Sequence, residues 1–132
     1  MTDRERALLA WLSLEREAVW FYPLAGARVP ALAERARRAA TAHRAVRDRL
    51  VGLVSDDTTR AEAAYDVGRI DDRGDAERIA VSLERRIQQA SLAAVRTSTP
   101  ESRPFALAGL RTAALAELTW GGHARPYPGL DA

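Results

Sequence analysis

Cysteine is absent from the 132 residues, which excludes a disulfide framework and any thiolate-based metal or redox chemistry. Long apolar runs are also absent, so no transmembrane helix and no membrane partner is predicted. The opening stretch MTDRERALLAWLSL has acids among its bases and lacks a small-residue cleavage site, which argues against a signal peptide. We therefore expect a cytoplasmic protein with a single domain spanning residues 1–132.

Lysine is absent as well, because all 20 basic residues are arginine, and the net charge is only +2. Together with the abundance of alanine, this bias is typical of a GC-rich genome rather than of selection for phosphate binding. Nucleic acid is accordingly not favoured as a partner. The sequence also has no glycine-rich phosphate loop and no serine or threonine placed with a histidine for nucleophilic catalysis, so no catalytic residue is predicted.

One stripe of a helix near the middle of the chain carries a single histidine among apolar side chains. Its members are spaced three and four residues apart: Leu32, Ala36, Ala39, His43, Val46, Leu50 and Leu53. A buried His43 needs a polar partner. Glu15 is the predicted partner, because it lies in the apolar stripe of the first helix and, across a short antiparallel hairpin, comes level with His43.

Periodicity predicts four helices, at about residues 3–26, 30–54, 75–97 and 101–120, with a non-helical tail at 121–132. Residues 55–74 lose that periodicity and form a connection too long for a tight turn between helices. Two helical hairpins joined by one long crossover between helices two and three define a ferritin-like topology. The predicted fold is therefore an all-α, four-helix ferritin-like bundle.

The second hairpin is expected to begin with Asp75 as the N-cap of helix three, which carries Glu84 at the border of its apolar stripe. Glu84 either points inward or pairs with an arginine at the surface. In helix four, Arg111 and Glu117 are predicted to form a charge pair at the margin of the core near Glu84, with a role in binding an anionic ligand as the alternative. On helix four, the residues predicted to face the core are Leu107, Leu110, Ala114 and Leu118. The tail is expected to be held against the bundle by Tyr127 and Leu130. The three tryptophans are expected to be core residues unless two of them are exposed on one face: Trp11, Trp20 and Trp120.

Several short segments, taken in order, resemble the actinobacterial ferritin-like domain family of unknown function. They are LEREAVWFYPLAGAR at 14–28, AHRAVRDRL at 42–50, the strap around Tyr65, SLERR at 82–86, ALAGLRTAAL at 106–115 followed by Trp120, and the closing PYPGL at 126–130. The resemblance covers nearly the whole chain. It implies a ferritin-like helical bundle, and the family has no established reaction to carry over.

The metal-ligand motifs of a ferritin-like di-metal centre are degenerate in this sequence. Such a centre takes a glutamate from each of two helices and Glu-x-x-His from each of the other two. Glu15 and Glu84 match the single glutamates, but Ala40 stands three residues before His43 and Trp120 three residues after Glu117. Because no Glu-x-x-His occurs, a conventional di-iron enzyme is not expected, and neither is a cofactor.

Two interpretations of Glu15, His43 and Glu84 remain open. They form a buried polar cluster that fixes helix register, or they are the remnant of a metal site holding a single zinc or manganese ion. The first favours a non-catalytic bundle that acts through binding or assembly, with a homodimer as the expected assembly. The second favours a metal-binding protein or a metal-dependent oxidoreductase. A third hypothesis is an arginine-faced module for an acidic partner.

Overall fold

The computed structural model describes residues 1–54 and 64–130, and within them the protein consists of helices and connections without a strand. The four helices are α1 (Asp3–Arg28), α2 (Ala33–Leu53), α3 (Arg73–Arg96) and α4 (Arg103–Thr119), and a 3-10 turn at Pro30–Leu32 leads into α2. The predicted all-helical class with four helices is thus confirmed. Of the predicted connection at 55–74, residues 55–63 lie outside the described part of the chain.

The helix starts follow the local chemistry of their first residues. The Thr2 side chain accepts a hydrogen bond from the Glu5 amide and the Glu5 side chain accepts one from Thr2, forming a capping box at α1. Asp72, rather than the predicted Asp75, caps α3, because the Asp72 carboxylate accepts from the Asp75 amide. Helix α1 also continues past Pro23 to Arg28, two residues beyond its predicted end at position 26.

Three helix pairs account for the main packing: α1 with α2, α3 with α4, and α1 with α3. The apolar stripes predicted for α1, α2 and α3 face the core, and none of their residues is exposed. Besides the stripe that carries His43, they are Leu8, Leu12, Glu15, Val19 and Tyr22 on α1, and Ala76, Ala80, Leu83, Ile87, Ala90 and Ala94 on α3. The three stripes meet around the middle of the bundle, where Glu15, His43 and Glu84 lie. The geometry of the two hairpins therefore brings polar side chains from three helices to one place.

Helix α4 is rotated relative to the prediction. Of the four residues predicted to face the core, Leu107 and Leu118 are 48 % and 44 % exposed and Leu110 and Ala114 are half-buried. The buried residues of α4 are Ala106, Ala113 and Glu117. Where Trp11 packs against α4, the helix has a glycine because the opposing side chain is large. A Cβ on Gly109 would lie 2.3 Å from Cζ2 of Trp11, so only glycine fits there.

The tail contacts the bundle through residues other than the predicted ones. Tyr127 and Leu130, which were expected to hold it, are both exposed. The close approach occurs at Gly129, where a Cβ would lie 2.8 Å from the backbone oxygen of Gln88, and an Arg125 side chain binds Glu117. Of the three tryptophans, Trp11 and Trp120 are buried and Trp20 is partly exposed against Tyr65.

Candidate functional site

The candidate site is a histidine held between two glutamates inside the bundle. Glu15 projects from the middle of α1, His43 from the middle of α2 and Glu84 from the middle of α3, and all three are buried. Each residue belongs to, or directly borders, the apolar stripe of its helix, so helical periodicity alone turns it inward. The structure places Glu15 beside His43, as predicted, and Glu84 adopts the inward one of the two positions that the sequence left open.

Both ring nitrogens of His43 contact a carboxylate. Nδ1 lies 2.5 Å from Oε2 of Glu15, and Nε2 lies 2.7 Å from Oε1 of Glu84. An ionised carboxylate only accepts hydrogen bonds, and a neutral imidazole has a single N–H to donate. With both carboxylates ionised, the ring has to donate twice, and only the doubly protonated imidazolium can do so.

The aromatic residues Tyr22 and Trp11 complete the hydrogen bonding of the two glutamates. The Tyr22 hydroxyl donates to Oε1 of Glu84 at 2.6 Å, and Nε1 of Trp11 donates to Oε1 of Glu15 at 3.2 Å. The Tyr22 ring also stacks on the His43 ring, with centroids 5.3 Å apart and planes inclined by 10°. A cation above an aromatic face is attracted by it, so the Tyr22 ring favours a charged His43 while its hydroxyl stabilises ionised Glu84.

The surroundings of His43 favour its protonated form. Burial opposes the charge, but the hydrogen bonds to Glu15 and Glu84 and their negative charges outweigh it and raise the pKa of His43 from 6.5 to about 10. Burial, followed by the charge of Glu84, raises the pKa of Tyr22 well above its ordinary value. The phenol therefore remains a hydrogen-bond donor while the imidazole remains a cation.

Glu117 and Arg111, the secondary candidates, do not form the predicted pair. Arg111 is exposed on the outer side of α4, whereas Glu117 is buried and binds the guanidinium groups of Arg85 and Arg125. The Arg111–Glu117 pair was predicted on the assumption that leucines define the inner face of α4. Because α4 is rotated, Glu117 points inward and Arg111 points to solvent.

Glu117 is the centre of a second buried cluster, near the end of α4. Its carboxylate accepts from Nε of Arg85 at 3.1 Å, Nε2 of Gln88 at 3.0 Å, the His123 amide at 3.1 Å and Arg125 at 2.7 Å. Burial raises the pKa of Glu117, but the hydrogen bonds from Arg125, Gln88, His123 and Arg85 outweigh it and lower that pKa to about 2. The cluster joins α3, α4 and the tail.

Carboxylate contacts occupy both nitrogens of His43 in this structure. A metal-bound imidazole is neutral at the ligating nitrogen, whereas each nitrogen of His43 faces a carboxylate oxygen at hydrogen-bond distance. Within residues 1–54 and 64–130, no group of three or more His, Asp or Glu side chains has an arrangement that could hold a metal. The arrangement is a buried hydrogen-bonded network that links α1, α2 and α3.

Some functional residues escaped the sequence prediction. Tyr22 was predicted only as a packing residue of the apolar stripe of α1, and its hydrogen bond was missed. Its position seven residues after Glu15 places it on the same face, two turns away, and was the available signal. Trp11, four residues before Glu15, gives the same signal. Arg85, Gln88 and Arg125 had no comparable signal, because their common partner lies on α4, whose orientation was predicted wrongly.

The fold and the site together define a class of protein: an all-helical, four-helix protein with a buried Glu–His–Glu network at its centre. Residues 7–132 match the family described as Domain of unknown function (DUF4439), and the chain belongs to that family. It is also similar to the crystal structure of a conserved hypothetical protein, rv2844, from Mycobacterium tuberculosis, with 26 % identity and a TM-score of 0.83. That similarity covers 89 % of this chain and 87 % of the other. A comparison with curated proteins gives no match.

Proposed function

We propose that this protein is a non-catalytic, ferritin-like bundle that acts through binding or assembly, and that a buried imidazolium takes the structural place of a metal centre. The observation that carries the proposal is the engagement of both His43 nitrogens by carboxylates. In a di-metal bundle, cations neutralise the inward glutamates of several helices. Here one protonated ring performs that neutralisation for Glu15 and Glu84.

The ferritin-like topology is part of the proposal and has two supports. The pairs α1 with α2 and α3 with α4 pack as hairpins, while residues 54–72 separate the second helix from the third. Such a long connection permits α3 to begin at either end of α2, as a ferritin-like crossover requires. We also propose the cytoplasm as the compartment, since the chain has no cysteine and no described helix is long and apolar enough to cross a membrane.

Metal analysis tests the proposal. We expect protein purified without chelator to contain less than one equivalent of zinc, manganese or iron, with no difference between the natural chain and the His43→Gln variant. The other histidine, His123, is exposed and provides the control variant His123→Gln. One equivalent of metal that is lost in His43→Gln but retained in His123→Gln would contradict the proposal.

The alternative of a single metal ion at Glu15, His43 and Glu84 keeps one supporting observation. Oε2 of Glu84 is buried and accepts no hydrogen bond within the described residues, so one carboxylate oxygen is available to a ligand. A metal there would require His43 to lose a proton and turn from at least one glutamate. The metal analysis separates this alternative from the proposal.

We propose self-association through the outer face of α4. Leu107, Leu115 and Leu118 are 48 %, 54 % and 44 % exposed, and the first two line a groove of about 630 Å³, with Arg111 between them on the same face of the helix. A second copy fits this face because two α4 helices can pair antiparallel about a point midway between Leu107 and Leu118. Leu107 of each copy then lies against Leu118 of the other. The contact is then self-complementary, and the long Arg111 side chain can reach solvent beside it.

The test of self-association is the mass in solution as a function of concentration. We expect the natural chain to be a dimer and Leu115→Glu to be a monomer with unchanged helix content, because a buried carboxylate would face an apolar surface. Ala10→Glu, at an exposed position of α1, is the control and should remain a dimer. A monomeric natural chain, or a dimer that Leu115→Glu leaves intact, would exclude this face.

The arginine-faced alternative has less support, because three of the six arginines of α2 pair with acidic residues on their own helix. Arg37 and Arg38 pair with Glu34, and Arg47 pairs with Asp48. Exposed pairs of this kind contribute little to stability, but they reduce the positive charge offered to an acidic partner.

A further inference from the structure

A small cleft leads from the protein surface to the buried network. It lies where α2 and α4 are separated, and exposed Ala42 and Thr112 form its mouth, while buried His43 and Glu84 lie at its base. Its volume is about 80 Å³. Since a cavity needs only roughly 10–15 Å³ by this measure to hold one water, the cleft has room for several non-hydrogen atoms.

The base of the cleft includes a carboxylate with an unused oxygen. Oε1 of Glu84 already accepts from His43 and Tyr22, whereas Oε2 is buried and accepts from no described residue. A buried carboxylate oxygen without a donor is costly, so a donor supplied by a ligand would be favourable there. The network also has two carboxylates for one imidazolium, and a second cation would balance its charge.

The walls of the cleft restrict the kind of cation. They are formed largely by Ala39, Val46, Ile87 and Ala113, which offer no oxygen ligands, and Thr112 adds one hydroxyl at the mouth. A divalent metal would need several further oxygen or nitrogen ligands. A guanidinium binds best through two parallel hydrogen bonds to a carboxylate, but only one Glu84 oxygen is unoccupied. An ammonium group on an alkyl chain fits this cleft, since its compact head group can donate to a single oxygen and its carbon chain is apolar like the walls.

We propose that this cleft binds a primary alkylammonium group, with the nitrogen donating to Oε2 of Glu84 and the alkyl chain lying between α2 and α4. The ammonium can belong to a free amine or to a lysine side chain. The chain itself contains no lysine, so a lysine would come from another molecule. The inference deepens the proposed function by naming a ligand, and it rests on that function because the site must hold a proton rather than a metal.

Calorimetric titration with n-butylammonium chloride at neutral pH tests the inference. We expect saturable one-to-one binding with a Kd of about 1 mM or tighter, as five non-hydrogen atoms allow. Neutral n-butanol and n-butylguanidinium should bind at least about tenfold more weakly, because they lack the charge or the compact head group. A Gly-Lys-Gly peptide with blocked ends, titrated in parallel, distinguishes a lysine side chain from a free amine as the source.

The matched variants place the binding at the cleft. Ala42→Leu puts a larger side chain over the mouth and should weaken n-butylammonium binding at least about tenfold, whereas Ala45→Leu, at an exposed position of α2 outside the cleft, should leave it unchanged. Equal binding of butanol, equal effects of the two variants, or no saturable binding would overturn the inference. A crystal structure that retains only a water beside Oε2 in saturating amine would overturn it as well. Metal content measured on the same samples shows separately whether the proposed function has failed.

Discussion

Replacing His43 with glutamine is expected to lower the free energy of unfolding by about 3–5 kcal/mol, the range for removing one partner of a buried ion pair. The His43 side chain is only 10 % exposed, so solvent screens the loss very little. Glutamine has no charge and cannot donate in two opposite directions as the ring does. Glu15 and Glu84 would therefore remain buried without their cation. Urea unfolding at neutral pH, followed by circular dichroism, measures the change.

The exposed His123→Gln variant is the control for this loss and should unfold like the natural chain. The triple variant Glu15→Gln, His43→Gln, Glu84→Gln should recover part of the stability, because a buried network without charges carries no unpaired carboxylate. A His43→Gln variant as stable as the natural chain would contradict a buried ion pair. A triple variant less stable than His43→Gln would show that the glutamates stabilise the fold without the imidazolium.

The pairing of His43 with Glu15 and Glu84 predicts a loss of stability at alkaline pH. The pKa of His43 is about 10 in the folded protein against 6.5 for an ordinary histidine, so below pH 6.5 both states are protonated and the contribution of His43 is fully present. Between those values the folded state holds a proton that the unfolded state has lost, and stability falls by about 1.4 kcal/mol per pH unit. The contribution is lost as the pH rises through 10. The difference in unfolding free energy between the natural chain and His43→Gln should therefore shrink across this range.

The sequence predicted the interior of the first three helices because their patterns are strong and local. Apolar residues recur at helical spacing on α1, α2 and α3, and the short connection at Val29–Pro30 determines how Glu15 and His43 come level. A polar residue within such a stripe has to face the core. The contact between these two residues therefore followed from counting along a hairpin, without tertiary information.

Helix α4 was predicted wrongly because its sequence, ALAGLRTAALAEL, offers leucines on more than one side and small residues between them. Periodicity alone then favours the side with more leucines. The structure reverses that choice because Trp11 occupies the space opposite Gly109 and Phe105 stacks on Trp11 with centroids 5.1 Å apart. Which side of α4 has room for an indole is a tertiary property, and periodicity carries no information about it.

The contacts of Glu117 were missed because the orientation of α4 was predicted wrongly. Replacing Glu117 is expected to have the second largest effect on stability. The Glu117→Gln variant should lose about 2–3 kcal/mol of unfolding free energy at neutral pH, since hydrogen bonds involving charged groups contribute about 1.5–3 kcal/mol. The loss is expected to be smaller than at His43, because the Arg85 and Arg125 side chains are 37 % and 21 % exposed and water can solvate them. Urea unfolding measures it, with Glu101→Gln, at an exposed position just before α4, as the control.

Stability at acid pH and hydrogen exchange in the tail are two independent tests of the Glu117 cluster. The pKa of Glu117 is about 2 against an ordinary 4.5, so its contribution is present above pH 4.5 and is lost as the pH falls through 2. Glu117→Gln should therefore be less stable than the natural chain near neutral pH and similar to it near pH 2. The His123 amide, which donates to Glu117, should exchange its hydrogen faster in the variant, because the tail then loses both this bond and the Arg125 pair. Unchanged exchange at His123 together with unchanged stability would mean that Glu117 does not join the tail to α3 and α4 in solution.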